Sequence, residues 1–341
     1  MTISSAHGNA PKMRAVQITQ DHRVSVIETA VPTISDDEIL VKPACCGICG
    51  TDVHILRHGF IGTRYPVIPC HEFSGHVAAV GRNVTGFKEG DFVTVDPNVT
   101  CGTCRWCRMG RPNLCDALTP IGVARPGAAA EYVAVPARNT FLVNESIGHG
   151  IAALIEPLAC ALHAVDSAQG IKDRNVLVIG GGTMGLLIAI SASQLGASRI
   201  TLSDPSADKL SVARRAGVDL AVAPNDLSDE KFDVVFEAAG VPAALAAALT
   251  KVEKTGAMVQ VGVHAADASA SFSSFKLYEH EFRFIGSNSC ADQFEAAVEL
   301  MTDVREKAGL LIGASLPVWD FENAVREMDS GRAVKTQLTF S

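Results

Sequence analysis

Four cysteines, Cys101, Cys104, Cys107 and Cys115, stand in the run C-x2-C-x2-C-x7-C. Four thiolates so close in a loop rich in Gly, Arg and Pro can close a tetrahedron about one zinc ion and leave no open position, which makes a structural site. An iron–sulfur cluster also takes four thiolates, and disulfides are the plainer alternative. The segment 98–116 has no hydrophobic core of its own, so its order is expected to depend on the metal. A second constellation is scattered along the chain: Gly47-Ile48-Cys49-Gly50-Thr51-Asp52-Val53-His54, then Cys70-His71-Glu72, then Glu156-Pro157. Each fragment alone says little. Together they offer Cys49, His71 and a carboxylate, Glu72 or Glu156, hence three protein ligands and an exchangeable position. That is the arrangement of a catalytic zinc.

A third motif, Gly180-Gly181-Gly182-Thr183-Met184-Gly185, satisfies G-x-G-x-x-G. An apolar run at 176–179 precedes it, an apolar helical stretch at 184–195 follows, and Asp204 stands about twenty residues further on. In such a frame Gly180 permits the tight turn and Gly182 lets the backbone approach a pyrophosphate. Gly185 lets helix and strand pack closely, and the helix N-terminus attracts the phosphate charge. Asp204 would accept hydrogen bonds from the ribose hydroxyls and repel a 2′-phosphate. No Arg follows it in Pro205-Ser206-Ala207-Asp208-Lys209, so NAD is expected over NADP. Thr183, Met184, Lys209, Val261, Gly262 and Ser287 complete the candidate cofactor contacts.

The elements that must position these residues fall into two patterns. Residues 13–147 read as short Val- and Ile-rich strands, at 15–18, 24–28, 38–45, 75–80 and 92–95, divided by turns, an all-β half. From about 150 the character changes. A long helical stretch at 151–169 leads into strands at 176–179, 199–203, 234–236 and 257–261, alternating with helices at 184–195, 207–216 and 242–251. Such βαβα alternation predicts a doubly wound α/β domain with a parallel sheet. The ending, 316–341, reads strand, helix, strand.

Composition narrows the function classes. The 341 residues carry 29 Lys+Arg against 37 Asp+Glu, a net charge of −8. Without a basic block, nucleic-acid binding is not expected. Residues 1–10 have no apolar leader pattern, and no uninterrupted apolar run spans a bilayer, so a cytoplasmic protein without a membrane partner is expected. A reducing compartment favours metal ligation and burial over disulfides for the ten cysteines.

The order and spacing of Gly47–His54, His71-Glu72 with Gly75 and Gly81, the four-cysteine lobe and the Gly180 turn resemble the zinc-dependent medium-chain alcohol dehydrogenases. The resemblance spans residues 13–341, and Leu154-Ile155-Glu156-Pro157-Leu158 is similar to the polyol (sorbitol-type) and threonine dehydrogenase branches. It implies a GroES-like β-domain over 1–150 and 292–341, with the zinc lobe at 98–116, and a Rossmann NAD-binding domain over 151–291. It further implies one catalytic and one structural zinc, and a homodimer or homotetramer. Cys49 and His71 would ligate the catalytic zinc with Glu72 or Glu156, and Asp52 would fix the His71 ring. Thr51 would take the substrate proton and His54 would pass it to solvent.

The implied reaction is NAD-linked oxidation of a secondary alcohol, most simply a sugar alcohol, to a ketone. A threonine-like hydroxy amino acid is the alternative, and it would need a carboxylate clamp, for which Arg57 and Arg125 are the candidates. A non-catalytic binding member of the fold would be expected to lose Cys49, His71 or Thr51, and all three are present. Three features depart from the family pattern. Cys70 stands where Gly usually precedes His-Glu, Cys160 shares a helix face with Glu156, and Gly286-Ser287-Asn288-Ser289-Cys290 lacks the aromatic and Arg pair of sorbitol-type sites.

Overall fold

The structure, a computed structural model, describes residues 11–340. Residues 1–10, read above for leader character, lie outside that range. The chain opens with an antiparallel pair, β1 (Lys12–Ile18) and β2 (Val24–Ala30), and then enters the first sheet at β3 (Glu38–Gly47). Helix α1 (Gly50–Arg57) follows at once and interrupts the half that reads as all-β. Its cause is local. Cys49 takes an extended backbone at the N-cap, and Asp52 at the third helical position accepts the Cys49 N–H, a capping box. β4 (Glu72–Val80) and β5 (Phe92–Val95) continue the sheet. The cysteine lobe, with its single turn α2 (Arg105–Arg108), then projects from it, and β6 (Val133–Pro136) and β7 (Thr140–Leu142) close it.

Helices α3 (His149–Ala152) and α4 (Ile155–Ser167) lead into the second domain. There β8 (Asn175–Ile179), α5 (Thr183–Gln194), β9 (Arg199–Ser203), α6 (Ala207–Arg215) and β10 (Leu220–Val222) wind one way. β11 (Phe232–Glu237), α7 (Pro242–Leu249), β12 (Val252–Gln260), α8 (Ser274–His280) and β13 (Arg283–Gly286) wind the other. The six parallel strands take the order β10-β9-β8-β11-β12-β13. Val176, Leu177 and Val178 of β8 are fully buried, as a strand covered by helices on both faces requires. The winding reverses between β8 and β11, and the crevice outside the carboxyl ends of such strands is where ligands bind in open α/β sheets. The 149–167 stretch is apolar and long enough to cross a membrane. Here it lies mostly buried against α5 and α9 (Phe294–Gly309), as the core helix of a folded domain.

The return to the first domain differs from the boundary at 292. Phe294, Ala297, Met301, Val304 and Ala308 of α9 are buried in the same apolar cluster as α4 and α5, so α9 belongs with the nucleotide-type sheet. The chain crosses back only at β14 (Ile312–Pro317). After α10 (Phe321–Asp329), β15 (Lys335–Thr339) pairs antiparallel with β3 at Cys45–Gly47. β15 thereby delivers C-terminal side chains to the strand that ends beside Cys49.

Candidate active site

Two ligand-bearing segments meet, one where β3 gives way to α1 and one where β4 begins. One sulfur of Cys49, one ring nitrogen of His71 and one carboxylate oxygen of Glu72 lie within 4.8 Å of one another. Glu156, at the start of α4, stands outside that group of three but shares its field. Burial pushes the Glu156 carboxyl up to about 7; the neighbouring His71 and Lys335 pull it down, and Glu72 pushes it up. Cys160, four residues on along α4, donates its thiol to Glu156 Oε1 at 3.5 Å. Glu72 in turn makes an ion pair with Lys335 Nζ, and the two side chains are only 2% and 3% exposed.

Asp52 does not hydrogen-bond the His71 ring, as the resemblance implied. Its Oδ2 accepts the Cys49 N–H at 2.9 Å and its Oδ1 accepts the Cys70 N–H at 3.0 Å. One buried carboxylate therefore ties together the two backbone stretches that carry Cys49 and His71. Cys70 itself sits at φ +72° and is fully buried. That is the conformation a Gly would adopt freely, so the turn before His71 is kept despite the side chain. It is hemmed in by Gly122 and Gly127, where an added Cβ would meet the Cys70 backbone at 2.8 and 2.4 Å.

The donor set fits a divalent cation. His71 Nδ1 is buried and has no hydrogen-bond partner. Beside it the Cys49 sulfur and a Glu72 carboxylate oxygen converge, the mixed N, S and O donors that zinc takes. Thr51 lies beside the cluster, with Oγ1 at 3.9 Å from Cys49 Sγ. His54, half-buried one turn further along α1, leans on Phe60 with ring centroids 6.4 Å apart.

In the lobe, Sγ of Cys101 and Cys115 stand 3.5 Å apart, as do those of Cys104 and Cys107, and all four lie within 4.8 Å of one another. Sulfurs about 2.3 Å from one centre would stand about 3.8 Å apart at tetrahedral corners, so the lobe fits a single zinc ion. All ten cysteines are free thiols, and the disulfide alternative drops out. The N–H groups of Thr103 and Cys104 point at Cys101 Sγ, from 3.4 and 3.3 Å, and hold that thiol down at about 6.

The glycine turn lies at the sheet's switch point. Gly180 has φ +109°, and a Cβ on Gly185 would meet the Gly180 carbonyl oxygen at 1.8 Å. A Cβ on Gly182, the N-cap of α5, would meet nothing within 4 Å, which leaves open space at the helix N-terminus for a phosphate. Asp204 accepts the N–H groups of Gly181 at 2.7 Å and Ser206 at 2.8 Å, so it also braces the turn. Ser206, not Asp204, caps α6, and Lys209 donates its N–H to that cap. The Thr183 hydroxyl crosses to the Val334 carbonyl at 3.0 Å, and Met184 packs on the core. Val261 and Gly262 both donate N–H to the Glu237 carbonyl, while Ser287 donates to that of Gln260.

Two groups beside these sites escaped the sequence reading. Glu237, fully buried at the end of β11, accepts the N–H groups of Ala239 and Gly240 and faces His264 Nε2 at 3.2 Å. Lys335 is the other. It sits in the strand Lys-Thr-Gln-Leu-Thr, and only the β15–β3 pairing reveals its neighbour. Neither Arg57 nor Arg125 is free to clamp a carboxylate: Arg57 pairs with Asp329 on α10, and Arg125 pairs with Glu38 at 2.7 Å.

The comparisons with known proteins agree with this geometry. The family described as "Alcohol dehydrogenase GroES-like domain" matches residues 35–145, and "Zinc-binding dehydrogenase" matches residues 183–303. D-altritol 5-dehydrogenase of Agrobacterium fabrum is 34% identical over 313 residues, which cover 90% of this chain and 93% of that protein. L-threonine 3-dehydrogenase of Escherichia coli K12 is 30% identical over 339 residues, 95% of this chain and 98% of that one. Among solved structures, a zinc-binding dehydrogenase of Sinorhizobium meliloti 1021 bound to NADP superposes with a TM-score of 0.91 at 32% identity, covering 96% and 99% of the two chains.

Proposed function

The chain belongs to the zinc-dependent medium-chain alcohol dehydrogenases, an enzyme with NAD(P) and zinc as cofactors, and on that premise we propose that it oxidises a polyol to a ketose, reversibly and with NAD. One observation carries the substrate class. An amino acid or hydroxy acid would need a free cationic clamp, and both candidates, Arg57 and Arg125, are engaged in ion pairs. A polyol needs only hydroxyl-binding groups. The likeness to an altritol dehydrogenase supports the same choice, while the likeness to threonine dehydrogenases sets the rival.

Cys49, His71 and Glu72 would hold the catalytic zinc, with Glu156 as the carboxylate that can exchange into the set. A zinc ion there supplies Lewis acidity toward a substrate hydroxyl, and NAD supplies the hydride acceptor. The chain's own groups do the rest. Lys335 offsets the charge of Glu72. Thr51 Oγ1, beside Cys49, accepts the proton of the substrate hydroxyl as it passes its own on to the nicotinamide ribose, and His54 takes the relayed proton toward solvent. Gly182 leaves the phosphate its space, and the Asp204 carboxylate favours free ribose hydroxyls over a 2′-phosphate. The exposed Phe272, Phe275, Tyr278 and Phe284 beside edge strand β13 support a dimer formed along that edge. Free thiols throughout suit a cytoplasmic setting.

The test is NAD(P)H formation with a panel of polyols and with L-threonine, each with NAD and NADP. The expected result is turnover of a polyol with kcat/KM favouring NAD. Turnover of L-threonine with no polyol would overturn the substrate class, and equal kcat/KM with NADP would overturn the cofactor preference.

A further inference from the structure

The segment Ser287–Cys290 follows β13 at the carboxyl edge of the parallel sheet, in line with Gly262 and the Gly180 turn. At its end the buried Cys290 thiol donates to Asp96 Oδ1 at 3.5 Å, a bond back to the first domain. The segment stands in strained backbone, with φ +59° at Ser289 and +46° at Ala291. Residues held there persist only where the surroundings fix them.

What fixes them comes from the cysteine lobe. Asn98 Nδ2, three residues before Cys101, is 3.0 Å from Ser289 Oγ and 2.9 Å from Cys290 Sγ. Its own loop is anchored by Asn139, whose Nδ2 donates to the Asn98 carbonyl at 3.0 Å. Asn113, two residues before Cys115, donates its Nδ2 to the Asn288 carbonyl at 2.8 Å. Asn113 is 6% exposed, and its Oδ1 has no partner, so the bond to Asn288 is the one its buried side chain makes. Two lobe asparagines thus clasp three consecutive residues of the other domain.

We propose that Asn98 and Asn113 are positioning residues: they hold 288–290, and through it the cofactor wall at Ser287. The lobe therefore does more than fold. Asn139 and Arg138 anchor the platform on which both asparagines ride, through the Asn98 and Thr100 carbonyls, and the platform sets the wall. This rests on the reading that Ser287 faces the cofactor.

NADH binding, followed by fluorescence, tests the proposal in zinc-loaded protein, with zinc content and Tm measured beside it. Asn113→Ala is expected to weaken NADH binding roughly five- to tenfold, the scale of one lost hydrogen bond. It should also shift the emission of the bound nicotinamide while both zincs stay bound. Asn113→Asp keeps the volume but loses the donor, and should behave like Asn113→Ala; a purely space-filling role would leave Asn113→Asp like wild type. If the Asn113 variants fail to fold, Ser289→Ala decides from the other domain. It should weaken NADH binding a few-fold, and combining it with Asn98→Ala should add little further loss. Wild-type NADH affinity in folded Asn113→Ala, or in Ser289→Ala, would overturn the proposal. Failure of the wild-type protein itself to bind NADH would sink the cofactor reading beneath it, a different result from unchanged variants.

Discussion

The two metal clusters are made of opposite materials. The lobe draws four sulfurs from one loop, lies near the surface, and points backbone N–H groups at its thiols. The catalytic cluster draws Cys49, His71 and Glu72 from segments on either side of α1, sets Glu156 from the other domain beside them, and sits buried. Its charge is balanced by Lys335, from the far end of the chain. The first is a local object, fixed by spacing. The second is a product of the whole fold, and its buried mixed donors and exchangeable position suit it to chemistry. The difference teaches that ligand types alone do not set the role of a metal site. The elements that carry them, and the charge those elements bring along, do.

The sharpest way to break that contrast is to remove one ligand from each side. Cys49→Ala or His71→Ala should abolish several kcal/mol of barrier lowering, on the order of 10^4 in kcat, while the protein keeps its fold and the lobe zinc. Cys104→Ser should instead release the lobe zinc, lower Tm and open the lobe's tip about Cys104 and Cys107 to proteolysis. Zinc content, Tm and turnover measured together separate the two. The same phenotype from both substitutions would erase the distinction.

The next largest effect probes the charge balance. Lys335→Met leaves Glu72 as an uncompensated buried anion and should cost about 3–5 kcal/mol of stability in the zinc-free protein. Adding Glu72→Gln should recover most of that loss, because the removed charge no longer needs a partner. Denaturant titration of the singles and the double reads the coupling. Additive losses would show that Lys335 stabilises by packing and not by charge.

Much of this was legible in the sequence, for stated reasons. Glycine turn, four-cysteine run and Gly47–His54 are local patterns, and each lies where its spacing required. What escaped depends on contacts between distant segments. Lys335 reads as an ordinary strand residue, and only β15 pairing with β3 places it against Glu72. Helix α9 carries an apolar face that suits either domain, and its packing on α4 decides the matter. Asp52 was legible as a carboxylate near a metal site but not in its bonding. The capping box of α1 takes one of its oxygens and the left-handed turn at Cys70 takes the other, which turns the carboxylate toward the backbone and away from the His71 ring. Asp52→Ala therefore should cost about 1–3 kcal/mol by orphaning two buried N–H groups, measurable by denaturant titration, with catalytic zinc affinity falling as a consequence. Unchanged stability would return Asp52 to a role at the ring.

The smallest expected effect concerns how far the lobe is local even without its metal. Its base is tied down by Asn139 on the Asn98 carbonyl, by Arg138 at 2.5 Å on the Thr100 carbonyl, and by Asn113 on Asn288. Among the described residues, the tip, with Cys104 and Cys107, has no such anchors across to other elements. Cys101 stands at the anchored end, and the N–H groups of Thr103 and Cys104 hold its thiol at about 6 against an ordinary 9.0, so at pH 7 it is mostly thiolate. Cys107 is pushed the other way, up to about 11, by burial and by the Cys104 sulfur. Chelator-stripped protein treated with iodoacetamide at pH 7 should therefore be modified at Cys101 first. The advantage over a thiol of ordinary pKa should be only a few-fold, because a more acidic thiolate is also a weaker nucleophile. The Cys101 rate should fall as pH drops through about 6, where that thiolate is protonated. Equal labelling of the four cysteines would mean that the whole lobe, base included, comes apart without zinc, and that its local order belongs to the metal and not to the chain.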